Sequence, residues 1–400
     1  MADFNAEMFL GRPVGFWILF NDITIVDQAI QRGTVLLSSM LASWQRLYAV
    51  RTFVFPALNF MMRYGNLGKD DWHRLDVVLR PLLKKTLYLP ANASNEYIYG
   101  SPHLGAAAIP LATELSDICG VDNAFKLLTS GDLELRDMAS EGLREVVSKR
   151  LHQLAERPDV EDYLSGYTEG DFKARASQLR SIWTEAWKAS RRLDVYTGSS
   201  TRTEFGSPAV ITLSTLNTTG KVLQCVAADP ASSHFMHSGS FTQFADWRII
   251  HKVMLSLLPL NGACMWVMAE RDQRCRVCGY ARETLPHVLS HCMPQSAQYT
   301  ARHNHIVARI RTACRGWFSI IIYDNRPTGD TNLHPDIALE LGEETVSIDA
   351  CCPFDNRLQA FTEARRVKVA KYKPVRLHLA RRYQHMTVHV HTVIVGALGY

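Results

Sequence analysis

"HPDIALELGEETVSIDACCPFDNRLQAFTEARRVKVAKYKPV", residues 334–375, begins with a period of two and ends with a period near 3.6. "DIALEL" and "TVSIDACC" alternate apolar and polar residues as strands do. Gly342-Glu343 between them suits a two-residue type II′ turn, which takes glycine first. That turn sets a register: Leu341 faces Glu344, Leu339 faces Val346, Ile337 faces Ile348 and Asp336 faces Asp349. One side of the hairpin is then apolar (Ile337, Leu339, Leu341, Val346, Ile348), and the other carries Asp336, Glu340, Ser347 and Asp349.

Two opposed carboxylates, with Cβ atoms about 5 Å apart, repel each other and weaken the sheet. A divalent cation between them removes the penalty. Oxygen ligands completed by water and substrate phosphate describe a magnesium site for phosphodiester chemistry at Asp336 and Asp349. The plainer alternative is a pair of solvent-exposed aspartates near strand ends. In the helix that follows, Leu358, Phe361, Ala364, Lys368 and Lys371 share one face, so two lysines stand on a stripe expected to pack on the sheet. Either lysine can neutralise a phosphate or help activate a water, and which of them does so is left open. Residues 357–382 hold nine Lys/Arg against the single acidic Glu363, a local balance of +8 where the whole chain carries only +5. An acidic pair on strands with a nearby lysine follows the PD-(D/E)xK nuclease pattern: Pro335-Asp336, twelve residues, then Asp349.

A second concentration of chemistry lies at "CRVCGYARETLPHVLSHC", residues 275–292, where three of the nine cysteines meet two histidines. Cys275, Cys278, His287 and Cys292 form Cys-x2-Cys-x8-His-x4-Cys, a closed set of three sulfurs and one nitrogen suited to structural zinc. His291 competes as fourth ligand but adjoins Cys292, and neighbouring side chains seldom reach one ion together. The helix "ARHNHIVARIRTACR" comes next, offering Arg302, His303 and Arg309 to nucleic-acid phosphates unless it is simply a solvated face. Arg365, Arg366 and Lys373 extend that basic surface.

Upstream, residues 21–147 read as helical. Leu36, Leu37, Met40, Leu41, Trp44, Leu47 and Tyr48 keep a spacing of three and four, with Pro56 ending or kinking the run. "KDDWHRLDVVLRPLLKKTLYL" opens on Asp70 and Asp71, the helix end that favours negative charge. Residues 157–240 hold Gly, Ser and Thr clusters around a short helix at 176–192, and read as a loop-rich linker with a few strands. A hydrophobic fraction of 47% with 21% charged residues excludes gross disorder. There is no apolar run of about 18 residues to span a membrane, nor a secretory signal pattern. Nine cysteines without disulfide spacing fit a reducing, intracellular setting. No small-molecule substrate is evident.

Taken together these stretches resemble the C-terminal part of the Pol polyprotein of non-LTR retrotransposons of the R-two clade, elements that carry a restriction-like endonuclease. The resemblance covers nearly the whole chain. "LASWQRLYAVRTFVFPAL" is similar to the start of a reverse-transcriptase thumb, "LLKKTLYLPANASNEYIYG" to the segment after it, and "FADWRIIHKVMLSLLPLNG" to the run leading into the family's zinc motif. The cysteine cluster with "RHNHIVARI" is the most specific match, and "PDI", "SIDACCPFD" and "EARRVKVAKY" resemble the endonuclease core. The resemblance implies target-primed reverse transcription: nicking of nuclear target DNA, then extension along element RNA. The polymerase's Tyr/Phe-Ala-Asp-Asp motif is absent, so RNA-directed DNA polymerase activity is not expected from this chain alone. Cys351 stands where the nuclease pattern places its lysine, which must come from the next helix instead. "GAAAIP", residues 105–110, stands where the family has "GGLGIP".

The expected architecture is multidomain. It comprises a mainly α-helical, thumb-like part (1–155), a linker (156–240), a zinc knuckle with a basic helix (241–315), and an α/β PD-(D/E)xK restriction-like endonuclease core (316–400) cut short at its C-terminus. The expected partners are target DNA and element RNA, with no membrane. The expected cofactors are structural zinc and catalytic magnesium, and the expected location is the nucleus. The alternative is a catalytically dead, zinc-dependent nucleic-acid-binding remnant.

Overall fold

The computed structural model describes residues 7–9, 12–14, 23–65, 67–102, 105–165, 182–197, 220–237, 242–263, 272–314, 320–341, 344–384 and 387–399. The chain divides into two compact units, one of residues 1–101 and 107–211, the other of 102–106 and 212–400. It is mostly helical, with a small sheet near the C-terminal end. Among the described residues no helix is long and apolar enough to cross a membrane.

In the first unit two short antiparallel strands, β1 (Glu7–Phe9) and β2 (Arg12–Val14), precede a helical array. The helices are α1 (Ile23–Ser38), α2 (Ser43–Ala49), α3 (Asn59–Tyr64), α4 (Lys69–Thr86), α5 (Glu96–Tyr99), α6 (Ala112–Leu128), α7 (Leu133–Leu151), α8 (Arg157–Ser165) and α9 (Ile182–Thr197). The run expected to be one helix up to Pro56 breaks earlier. Ser39 turns its N–H and its hydroxyl back onto the Leu36 carbonyl and stops α1. Gln45 then accepts a hydrogen bond from the Ala42 N–H (3.1 Å) and starts α2. Met40 falls in the break and is fully exposed, and Tyr48 is also exposed, so neither joins the apolar face that the spacing suggested. At Pro56 itself, a wide π-helical stretch (Val50–Val54) passes into a tight 3-10 turn (Pro56–Leu58).

Asp71 accepts from the Gly68 N–H (2.9 Å) and caps the start of α4, as its position in the first turn predicts. Gly33 of α1 allows close approach to α4, since a Cβ there would sit 2.8 Å from a Leu79 methyl. From the middle of α4, buried Asp76 accepts from the N–H groups of Ala112 (2.7 Å) and Thr113 (3.1 Å), so one helix caps the next. Leu143, Val147, Tyr163, Trp183 and Trp187 form a core of this unit. Tyr163 and the two tryptophans come from the span read as a linker, whose described residues are helical. The expected strands of that span are not among its described residues, and the expected helix starts at Ile182, with 176–181 outside the described residues.

The second unit holds α10 (Gly220–Ala227), α11 (His234–His237) and α12 (Phe244–Met254), followed by the cysteine cluster. After α13 (Ser296–Cys314) come β3 (Ile320–Asp324), β4 (Ile337–Leu341), β5 (Glu344–Cys351), α14 (Arg357–Lys371), α15 (Lys373–Arg382) and β6 (Thr387–Ile394). The strands form one sheet in the order β3-β4-β5-β6. β4 and β5 pair antiparallel with Ile337 opposite Ile348, Leu339 opposite Val346 and Leu341 opposite Glu344, the register expected from the sequence. The turn that was to set it, residues 342–343, lies outside the described residues. β6 runs parallel to β5, a pairing that needs a crossover, and α14 and α15 supply it.

Both faces of the sheet are covered. Val307, Ile306 and Ile310 of α13 pack on Ile337, Leu339, Ile348 and Ala350. On β6, Val388 and Val390 lie under Tyr372, Val375 and Leu379, at the end of α14 and on α15. The side expected to be polar is therefore buried as well: Thr345, Ser347 and Asp349 are all inside. Parallel strands roofed by helices favour this two-sided burial.

Candidate metal centres

The Cys275–Cys278 turn is closed by the Gly279 N–H donating to the Cys275 carbonyl (2.9 Å) and the Cys275 N–H donating to Tyr280 (2.8 Å). Gly279 takes φ +73°, a conformation costly for residues with a Cβ. His287 opens a single π-helical turn (His287–His291), and Cys292 follows it in an extended conformation. One turn thus brings both residues to the same point, while His291 stays exposed outside the group. The ligand atoms of Cys275, Cys278, His287 and Cys292 all lie within 4.8 Å of one another. Cys275 Sγ is 3.9 Å from Cys292 Sγ, and Cys278 Sγ is 3.2 Å from His287 Nε2. Zinc–sulfur bonds of about 2.3 Å in a tetrahedron imply sulfur–sulfur edges of about 3.8 Å, so the group has the dimensions of a zinc cage.

The electrostatics of the group suit a bound cation. Burial pushes the Cys275 thiol up, but the N–H groups of Cys278 and Val277 and the side chains of His287 and Cys278 more than offset it, bringing it down to about 6. Burial, and then Cys278 and Cys275, push Cys292 up to about 11. Thiols so close cannot all ionise without a cation among them. The cluster can hold a metal such as zinc. Around it, buried Glu283 accepts from the Asn261 N–H (2.8 Å) and the Arg276 side chain (3.0 Å), and Tyr280 stacks on the His287 ring at 4.7 Å. Tyr299 of α13 donates to the Val288 carbonyl (2.8 Å) and accepts from the Cys292 N–H (3.0 Å), tying the cage to the next helix.

At the sheet, the ladder ends at Ile337 opposite Ile348, so Asp336 and Asp349 are the next pair outward. Neither is solvent-exposed, Asp336 being 8% and Asp349 2% accessible. Lys368 Nζ lies 2.6 Å from Asp349 Oδ2. Asp336 Oδ2 accepts from the Ala350 N–H (2.7 Å) and faces His303 Nε2 at 3.2 Å. Burial pushes the Asp336 carboxyl up and the Asp349 charge adds to it, opposed by the Ala350 N–H, His303 and Lys368. Tyr372 donates from its hydroxyl to the His334 carbonyl (2.9 Å), and burial, then Asp349, push its phenol up, so it remains a neutral donor. Cys351, where the nuclease pattern would place lysine, is pushed up to about 11 by burial and carries no charge into the group.

The helix stripe differs from the expectation at both ends. Phe361, Ala364 and Lys368 are half-buried, but Leu358 is exposed, and the stripe continues four residues after Lys368 at buried Tyr372. Lys371 is exposed, with its Nζ 5.0 Å from the centre of the Tyr372 ring. Of the residues expected to meet phosphates, Arg309, Arg365 and Lys373 are exposed. Arg366 is exposed but paired with Glu363 at 2.6 Å. Arg302 and His303 turn inward. Arg302 donates to the carbonyls of Leu289 (3.1 Å) and Ala397 (3.2 Å), and His303 reaches Asp336. Neither is the solvent-facing contact to phosphates that the sequence suggests, because a single sequence does not show which side of a basic helix packs. The signal was present in Ile306, Val307 and Ile310, whose helical spacing puts His303 on the packed side.

Comparison with protein-family models and with curated proteins returns no match for this chain.

Proposed function

We propose that the second unit is a magnesium-dependent DNA endonuclease stapled by zinc, as part of a non-LTR retrotransposon Pol protein. The observation that carries this reading is the buried carboxylate pair, Asp336 and Asp349, with Lys368 Nζ 2.6 Å from Asp349. Burying two like charges side by side is costly, and folds keep such pairs where a cation or a reaction uses them. Hard oxygen ligands at the end of a sheet fit magnesium better than a softer ion.

Asp336 and Asp349 would hold magnesium, and the ion would supply a polarised phosphate oxygen and a water of lowered pKa. Lys368, whose Nζ lies beside Asp349, would stabilise the negative charge that builds on the phosphoryl oxygens. A water oxygen bonds to phosphorus and the bond from phosphorus to the 3′ oxygen breaks. The water's proton goes to solvent and the 3′ oxygen takes one back, which leaves the free 3′-hydroxyl that priming requires. Exposed Arg309, Arg365 and Lys373 suit contact with DNA phosphates. Nuclear action and an element RNA partner belong to the same proposal.

A second reading has support in the same contact. A 2.6 Å Lys368–Asp349 pair also suits a purely structural ion pair, which would leave a zinc-dependent nucleic-acid-binding protein without catalysis. Nicking of supercoiled plasmid in magnesium, wild type beside Asp349→Ala, separates the two. Nicking by wild type alone supports the endonuclease; DNA binding without nicking by either protein supports the binding protein.

A further inference from the structure

We infer that His303 is a positioning residue for Asp336, holding that carboxylate in the orientation that lets the acidic pair take a divalent cation. The inference rests on the endonuclease reading for its catalytic consequence, though its physical content is a matter of cation binding.

Asp336 stands just before β4, beyond the last ladder pair, so the β4–β5 ladder does not itself hold its side chain. A buried carboxylate there is free to turn about its terminal torsion, which is broad and roughly two-fold. The Ala350 N–H prevents that by donating to Oδ2 at 2.7 Å, and His303 Nε2 stands 3.2 Å from the same oxygen. His303 Nε2 also lies 3.2 Å from the Ala350 carbonyl oxygen. Facing the Ala350 carbonyl, that ring nitrogen carries the proton and donates to it, and its positive edge lies against Asp336 Oδ2. His303 thereby clamps Asp336 to the backbone of β5 one residue beyond Asp349, which relates the two carboxylates to each other. With the Ala350 N–H and the His303 ring both at Oδ2, Oδ1 is the oxygen left for a cation.

The position of His303 is itself determined from two sides. Val307, one helical turn further along α13, is packed against Ile337 and Leu339. One turn earlier, Tyr299 is hydrogen-bonded to Val288 and Cys292, and Arg302 reaches Leu289. The zinc-cage loop and the sheet therefore set the register of α13 together, and His303 is the point where that register reaches the acidic pair. Residues that orient a metal ligand from behind commonly account for 10–100-fold in metal affinity.

The test measures manganese, a paramagnetic stand-in for magnesium, by the loss of free-ion electron paramagnetic resonance on titrating the zinc-loaded full chain. Wild type is expected to bind manganese and Asp349→Ala to lose it. His303→Ala should weaken binding by about tenfold or more, with zinc content and melting temperature held near wild type. His303→Gln, whose side-chain amide can donate from the same helix position, should recover most of the loss. His303→Ala binding manganese like wild type, or His303→Gln as weak as His303→Ala, overturns the inference and leaves the endonuclease reading standing. Wild type that binds no manganese overturns both. The expected order of affinities in a protein that never nicks DNA would uphold the clamp and remove the endonuclease.

Discussion

Lys368 Nζ lies 2.6 Å from Asp349 Oδ2, while Lys371, three residues along the same helix, points to solvent beside the Tyr372 ring. The sequence spacing treats the two lysines alike, and the fold does not. Lys368→Ala is expected to lower plasmid nicking by roughly 10²-fold, the scale of losing one charge-stabilising donor. It should also cost about 3 kcal/mol in urea unfolding, because Asp349 would be left buried without its partner. Lys371→Ala should change nicking by less than about threefold and stability by less than about 0.5 kcal/mol, as surface substitutions do. Equal losses in the two variants would refute the assignment of Lys368.

The cysteine cage makes its own prediction about ligand identity. Purified protein should carry one zinc per chain, measured by plasma emission. His287→Ala or Cys292→Ala should lose it, and His291→Ala should retain it, since His291 is exposed and outside the group. Structural zinc in small modules contributes on the order of 10 kcal/mol to their folding, so chelation should make residues 272–292 cleavable by protease. Zinc lost from His291→Ala and kept in His287→Ala would reverse the ligand choice.

The zinc ligands were legible in the sequence because their spacing is short and local: one tight turn and one helical turn assemble all four. The hairpin register was equally legible, since the alternation rules out a one-residue slip and a two-residue turn at Gly342-Glu343 selects among the alignments that remain. What escaped is long-range. His303 and Asp336 are 33 positions apart, and nothing in either local pattern announces their contact. β6 lies in "TVHVHTVI", whose alternation is legible but gives no sign that it pairs parallel with β5 across two helices. The break at residues 39–42 was hidden because the apolar spacing continues across it, and only the hydrogen bonds of Ser39 and Gln45 reveal the change of axis.

The segment "GAAAIP" offers a test of backbone strain. Ala108 adopts φ +51°, in the left-handed region, and its N–H donates to the Gly100 carbonyl (3.0 Å), so the conformation is held in place. A residue with a Cβ pays about 1 kcal/mol there and glycine does not, though glycine also enlarges the unfolded ensemble. Ala108→Gly should therefore raise stability by about 0.5 kcal/mol in chemical denaturation. Ala107→Gly, at a neighbour without positive φ, should lower it by about the same amount or more. A loss from both substitutions would show that Ala108 is not strained.

Acid stability should turn on two buried groups of the second unit that act in opposite senses. His251 is fully buried, its ring 4.1 Å from that of Trp247, and burial holds it down to about 3 against an ordinary value of 6.5. It is neutral when folded and takes a proton on unfolding, so its contribution is complete above pH 6.5 and is lost as the pH falls toward 3. By pH 5 that loss amounts to about 2 kcal/mol. Asp355, fully buried with its Oδ2 accepting from the Leu398 N–H (3.0 Å), is pushed up to about 6 by burial. Its contribution is complete below its ordinary value of 3.8 and is lost as the pH rises to about 6, so between pH 6 and 4 it partly offsets His251. Urea unfolding of the full chain should show wild type losing stability on acidification from pH 7 to 5. His251→Gln should reverse that slope, because the raised carboxyls Asp355 and Asp336 then prevail, and Asp355→Asn should steepen it. A slope unchanged by His251→Gln would show that His251 is not the group that titrates.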